Sequence, residues 1–160
     1  MDDELYLLAE RVGIALKQHG MMLATAESCT GGWVGEAVTA VPGSSSWFDR
    51  GFITYTNEAK QEMLGVAAAT LEQHGAVSEQ TVREMVFGTL NNSRGKVALA
   101  ISGIAGPGGG TPEKPVGTVC FAWGFAGGAV TSERRQFSGD RREVRFQAVE
   151  FGLRGLLERL

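Results

Sequence analysis

Two short apolar runs, residues 21–26 and 97–104, each give way to a glycine-rich turn, and that pairing narrows the architectures open to this chain. Runs of this length without polar alternation suit strands covered on both faces, as in a sheet flanked by helices. The first run breaks at Glu27-Ser28-Cys29-Thr30-Gly31-Gly32 and leads into a helical stretch over residues 33–40. The second ends in a Gly/Pro loop over residues 106–115. Glycine occurs at about twice its usual share of roughly 7%, and it gathers at positions 31–32, 103–110 and 124–128 instead of forming a linker. Glycines clustered beside strands mark close approach of backbone to backbone, or of backbone to a ligand.

The remaining segments fit around these strands. Leu5, Leu8, Ala9, Val12, Ala15 and Leu16 recur at three- and four-residue spacing before Gly20, which predicts an amphipathic helix over residues 2–18. Residues 47–56 are aromatic and β-branched, hence a strand, and residues 58–64 read as the helix that follows. Ser78 opens a further helix with Val82, Met85, Val86 and Leu90 on one face. Residues 117–125 and 129–137 alternate about Gly127-Gly128 as a β-hairpin. Asp140 starts a last helix to residue 160, striped by Val144, Ala148, Phe151 and Leu156. The expected fold is α/β: one domain over residues 1–160, a three-layer α/β/α sandwich with a mixed sheet of about five strands.

Composition excludes several classes of partner. The net charge of −3 and the absence of a basic stripe argue against nucleic acid. No apolar run approaches the length of a membrane span. The acidic start, Met1-Asp2-Asp3-Glu4, does not read as a secretory signal, and Cys29 and Cys120 read as free thiols in a reducing, cytoplasmic setting. No His/Cys/carboxylate cluster has metal-ligand spacing, so neither metal nor cofactor is expected. The Trp47-Phe48 loop reads as exposed and, with the apolar helices, motivates the expectation of a homodimer.

A buried strand that turns into a helix presents the turn side chain above the carboxyl edge of the sheet, where open α/β sheets bind ligands. Here that side chain is Ser28, and the free N–H groups of the helix's first turn are expected to favour negative charge beside it. A hydroxyl next to such donors is the pairing acyl transfer needs. The plainer alternative is that Ser28 or Thr30 caps the helix and Gly31-Gly32 only permits tight packing. The run matches neither the Gly-x-Ser-x-Gly nucleophile elbow nor a phosphate-binding loop ending in Gly-Lys-Ser/Thr.

The resemblance to a known family is more specific. Thr25-Ala-Glu-Ser-Cys-Thr-Gly-Gly32 resembles the signature of the CinA C-terminal domain family, which includes stand-alone nicotinamide-nucleotide amidases. The likeness continues through Gly43-Ser-Ser-Ser-Trp-Phe48, Gly51-Phe-Ile-Thr-Tyr-Thr-Asn-Glu-Ala-Lys60 and Gly75-Ala-Val-Ser78. It resumes at Ser102-Gly-Ile-Ala-Gly-Pro107, Lys114-Pro-Val-Gly-Thr118 and Phe137-Ser-Gly-Asp-Arg141. The resemblance implies a metal-free amidohydrolase that converts nicotinamide mononucleotide to nicotinate mononucleotide and ammonia. Ser28 matches its nucleophile and Lys60 its base. Tyr55 and Ser45 match supporting polar groups, and Ser102 and Arg142 match substrate-holding residues, with Arg141 adjacent and able to replace Arg142.

The chemistry can be checked against the residues. A single base that becomes an acid can take the proton of Ser28 and return it to departing ammonia. His19 and His74 each precede a glycine and read as turn or cap residues, so lysine must serve. Its pKa must then fall from about 10.4 to roughly 7–8 through burial, a nearby cation or the positive end of a helix. Without the resemblance, Lys60 reads as an exposed solubilising side chain. The oxyanion is assigned to N–H groups near Thr30 and Gly31, and the loop around Gly106 offers donors to a phosphate. Tyr55 is expected to bond the lysine or the carboxamide, Ser45 to relay a proton, and Arg142 to grip phosphate. Two rival readings stay open: Cys29 as nucleophile, with only one of the adjacent pair able to face substrate, and a non-catalytic nucleotide-binding or regulatory module.

Overall fold

A computed structural model describes residues 2–160. In chain order the elements are α1 (Asp3–Gln18), β1 (Leu23–Glu27), α2 (Trp33–Thr39), β2 (Phe48–Ile53), α3 (Asn57–Leu64), α4 (Ala68–His74), α5 (Glu79–Asn91), β3 (Val97–Gly103), β4 (Thr118–Phe125), β5 (Val130–Gln136) and α6 (Arg141–Arg159). The five strands form one mixed sheet in the order β2-β1-β3-β4-β5. Strand β1 runs parallel to both β2 and β3, whereas β4 is antiparallel to β3 and β5. The mixed five-stranded sheet between helices is the architecture the sequence predicts.

The two faces of the sheet differ in side-chain size, and that decides how the helices lie. On one face Val97, Leu99, Ile101, Val119, Phe121 and Trp123 pack against α1, α2 and α6. On the other, Ala98, Ala100, Cys120 and Ala122 meet α5, which brings Val82, Met85 and Val86. The period of two along each strand sorts large from small residues, so α5 lies close to the backbone of the sheet. Gly124 marks the closest approach: a Cβ there would stand 2.6 Å from a methyl of Val86.

One helix goes unread in the sequence, and two expectations need correction. Helix α4 was not predicted, because Ala67 offers no side-chain cap and only Leu71 on it is fully buried. Its start is held instead by a residue of α5, with Glu84 accepting from the Ala67 N–H and the Thr70 hydroxyl. Trp47 is buried, not exposed, with its indole against Gly13 of α1, so that loop offers no apolar patch to a second copy. The predicted strand at 47–56 is shorter at both ends, because the chain leaves the sheet at Thr54 to start α3. The caps at Ser78 and Asp140 form as read, the latter as a full capping box with Glu143. No described helix is long and apolar enough to cross a membrane.

Candidate active site

Ser28 and Ser102 sit at the carboxyl ends of the adjacent parallel strands β1 and β3, where the chain departs in different directions. That edge is the ligand-binding crevice of open α/β sheets. The Ser28 N–H donates to the Ile101 carbonyl and the Thr54 N–H to the Glu27 carbonyl, so the ladder holds both flanking chains just beyond the strands. A cleft of about 320 Å³ opens there, within the range of small-molecule sites. Its lining includes Ser28, Cys29, Tyr55, Lys60, Ser102, Gly106 and Arg141.

Helix α3 carries Lys60 into the cleft. Thr56 caps it by accepting from the Ala59 N–H, which fixes the first turn and turns Lys60 inward. Lys60 is 1% exposed, and its Nζ lies 2.9 Å from Ser28 Oγ. The same nitrogen donates to the carbonyls of Thr54 at 2.8 Å and Tyr55 at 3.3 Å. Burial lowers its pKa from 10.5 to about 8, against a smaller opposing effect of Cys29. A neutral amine has two N–H bonds and one lone pair. The two carbonyls can take the N–H bonds, which leaves the lone pair for the Ser28 hydroxyl. The ammonium form has three acceptors in the same places, so both protonation states are satisfied.

Tyr55 contributes differently from the expectation. Its carbonyl, not its phenol, meets Lys60, and it also lies 3.4 Å from Ser28 Oγ. Tyr55 as a whole is 58% exposed, and its phenol oxygen accepts from Arg141 Nη2 at 3.1 Å. Arg141 Nη1 donates to the Gly106 carbonyl at 2.7 Å. One guanidinium thus bridges the Tyr55 and Gly106 sides of the cleft. Beside it, the N–H groups of Ala105, Gly106, Gly108 and Gly109 donate to no protein acceptor among the described residues.

Other predicted residues fall elsewhere. Arg142 lies outside the cleft, stacked over Trp33 at 5.2 Å. It lines a larger groove of about 510 Å³ with Trp33, Arg145 and Phe146, which contains neither Ser28 nor Lys60. Successive helical residues point about 100° apart, so only one of Arg141 and Arg142 can enter the cleft. Ser45 is exposed in a 3-10 turn before β2. Parallel pairing of Leu23 with Phe48 puts that turn at the amino end of β1, about 16 Å from Ser28 at roughly 3.3 Å per residue. It cannot relay a proton within this chain. Thr30 is buried and donates to Glu27 Oε1 at 2.6 Å, so its hydroxyl does not reach the cleft.

The residue that sequence reasoning missed is Glu27. It is 2% exposed, and its carboxylate also accepts from the N–H groups of Gly32, Val34 and Gly35. These are the first-turn donors of α2 that were expected to attract substrate charge. Glu27 consumes them, and the Gly31 N–H donates to the Ser28 carbonyl at 3.0 Å. A glutamate ending a buried strand one residue before the turn was the available signal, since a buried carboxylate requires donors. The N–H groups of Cys29 and Thr30 remain free of protein acceptors among the described residues.

Both Ser28 and Cys29 line the cleft, because the chain is already turning there and no longer alternates. Burial pushes the Cys29 thiol up to about 12, so it stays protonated near neutral pH. Among the described residues no group of three or more His, Cys, Asp or Glu could hold a metal ion.

Comparison with known proteins agrees along nearly the whole length. A family profile described as "CinA C-terminal domain" matches residues 6–160. A relative from Escherichia coli K12, called nicotinamide-nucleotide amidohydrolase PncC, is 56% identical over 155 residues, covering 97% of this chain and 94% of that protein. A protein of the same name from Pseudomonas putida is 51% identical, covering 98% of this chain and 97% of its own length. Among solved structures, the competence/damage inducible protein CihA from Agrobacterium tumefaciens superposes with a TM-score of 0.96 at 44% identity, covering 99% of this chain and 96% of that one.

Proposed function

The chain belongs to the CinA C-terminal domain family, and from that premise we propose that it is a nicotinamide-nucleotide amidohydrolase acting on nicotinamide mononucleotide. The observation that carries this reading is the buried Lys60 amine 2.9 Å from Ser28 Oγ at the mouth of a cleft. Ser28 Oγ attacks the carboxamide carbon while its proton passes to Lys60, and the carbonyl electron pair moves onto oxygen. Lys60 then protonates the leaving nitrogen as the C–N bond breaks, giving ammonia and an acyl-enzyme ester. Water, deprotonated by the same amine, cleaves the ester to nicotinate mononucleotide and frees Ser28. No step draws on a metal or a cofactor.

The other end of the cleft suits an anion. Arg141 and the free N–H groups of Ala105, Gly106, Gly108 and Gly109 take the phosphate role expected of Arg142. Ser102 lines the cleft between the two ends and orients the ribose or the pyridine carboxamide. The described residues 2–160 form one amidohydrolase unit, and its two buried free thiols suit a reducing cytoplasm.

The test is ammonia release from nicotinamide mononucleotide by chelator-treated protein, with Ser28→Ala as the control. Release by the wild type alone supports a serine amidase. No release from the mononucleotide, the riboside or free nicotinamide overturns it in favour of a binding module.

A further inference from the structure

Arg145 reaches the catalytic turn from behind. It projects from α6, its Nε donating to the Cys29 carbonyl at 2.9 Å and its Nη2 to the Thr30 carbonyl at 3.2 Å. The guanidinium lies over the Trp33 ring at 5.5 Å, and no carboxylate forms an ion pair with it among the described residues. Its positive charge is therefore spent on two peptide carbonyls of the segment that carries the nucleophile.

Each carbonyl shares its peptide unit with the next residue's N–H, and hydrogen bonds in series polarise one another. The bond to the Cys29 carbonyl polarises the Thr30 N–H directly. The bond to the Thr30 carbonyl polarises the Gly31 N–H, which donates to the Ser28 carbonyl at 3.0 Å. That carbonyl shares its peptide with the Cys29 N–H. Both arms of one guanidinium thus end on the two N–H groups of the turn that have no protein acceptor. Resting on the acyl-transfer reading, we propose that Arg145 is a positioning residue that polarises this turn and so strengthens the N–H of cleft-lining Cys29 as a donor to the oxyanion formed when Ser28 attacks.

Three substitutions test this, each checked for folding by its thermal midpoint. Arg145→Met keeps an apolar stem over Trp33 but removes charge and donors; Arg145→Lys keeps the charge; Arg145→Ala leaves room for free guanidinium. The expected result for Arg145→Met is a 10–100-fold loss in kcat, below or within the range for deleting an oxyanion donor outright, with KM within about threefold. The pH of half-maximal activity should not move, because Lys60 is untouched. Arg145→Lys should retain more of kcat, and millimolar guanidinium should restore part of it in Arg145→Ala but none in Ser28→Ala. In amide NMR spectra, Arg145→Met should shift the Cys29 and Thr30 protons upfield while those of β4 stay in place. Unchanged kcat, or lost kcat without either rescue or amide shift, overturns the proposal. A wild type that releases no ammonia while the amide shift is present overturns the amidase reading and leaves the polarisation standing.

Discussion

Lys60 Nζ and Ser28 Oγ stand 2.9 Å apart and share the Tyr55 carbonyl as a common neighbour. Only a neutral amine can take the serine proton, and burial holds Lys60 near pKa 8. Below that pH the ammonium dominates, so kcat/KM should fall about tenfold per pH unit and level off above about 8. A pH profile of ammonia release checks this. A flat profile between pH 6 and 8 would remove Lys60 as the base, and Lys60→Met should abolish the activity.

Cys29 faces the same cleft as Ser28, but burial keeps its thiol protonated to about pH 12. Its backbone N–H, not its sulfur, is the group assigned to the reaction in the proposed mechanism. Cys29→Ala should therefore keep kcat within about threefold, and iodoacetamide at pH 8 should label the native protein slowly. Loss of activity matching that of Ser28→Ala would make the thiol the nucleophile.

The neighbouring arginines should separate cleanly. Arg141 bridges Tyr55 and Gly106 in the cleft, whereas Arg142 stacks on Trp33 outside it. Hydrogen bonds to charged groups are worth about 1.5–3 kcal/mol, so Arg141→Gln should raise KM for the mononucleotide about 10–100-fold. It should hardly change KM for the riboside, which lacks the phosphate. Arg142→Gln should leave both within about twofold. The reverse pattern in steady-state kinetics would return the phosphate to Arg142.

Glu27 satisfies a hydroxyl and three backbone N–H groups at once. Glu27→Gln keeps one acceptor oxygen and sets an amide NH₂ against N–H donors. The expected loss is about 3 kcal/mol or more of unfolding free energy in urea titration, with activity falling further as the Ser28 turn loosens. A stable, active Glu27→Gln would show that the turn holds itself.

How much of this was legible before folding depends on the range of the interactions. The period-two sorting of Val97, Leu99 and Ile101 from Ala98 and Ala100 declares a strand buried on both sides. The caps at Ser78 and Asp140 act within three residues of themselves, so they form as written. Helix α4 was hidden because Glu84, seventeen residues away from Ala67, supplies its cap. The block from residue 51 to 60 pointed to Lys60 by resemblance, but nothing in its neighbours says that the amine would be buried.

By itself, then, the sequence determined the α/β layering and the placing of Ser28 on a turn at a sheet edge. Periodicity and capping are local, and they survive any tertiary arrangement that buries the apolar stripes. Only the tertiary structure decided that Lys60 loses its water, that the Tyr55 carbonyl and not its phenol meets Lys60 and Ser28, and that Arg141 and not Arg142 enters the cleft. Desolvation depends on everything packed around a charge, and the choice between adjacent arginines depends on how α6 is rotated against the sheet. Neither quantity belongs to a short stretch of chain.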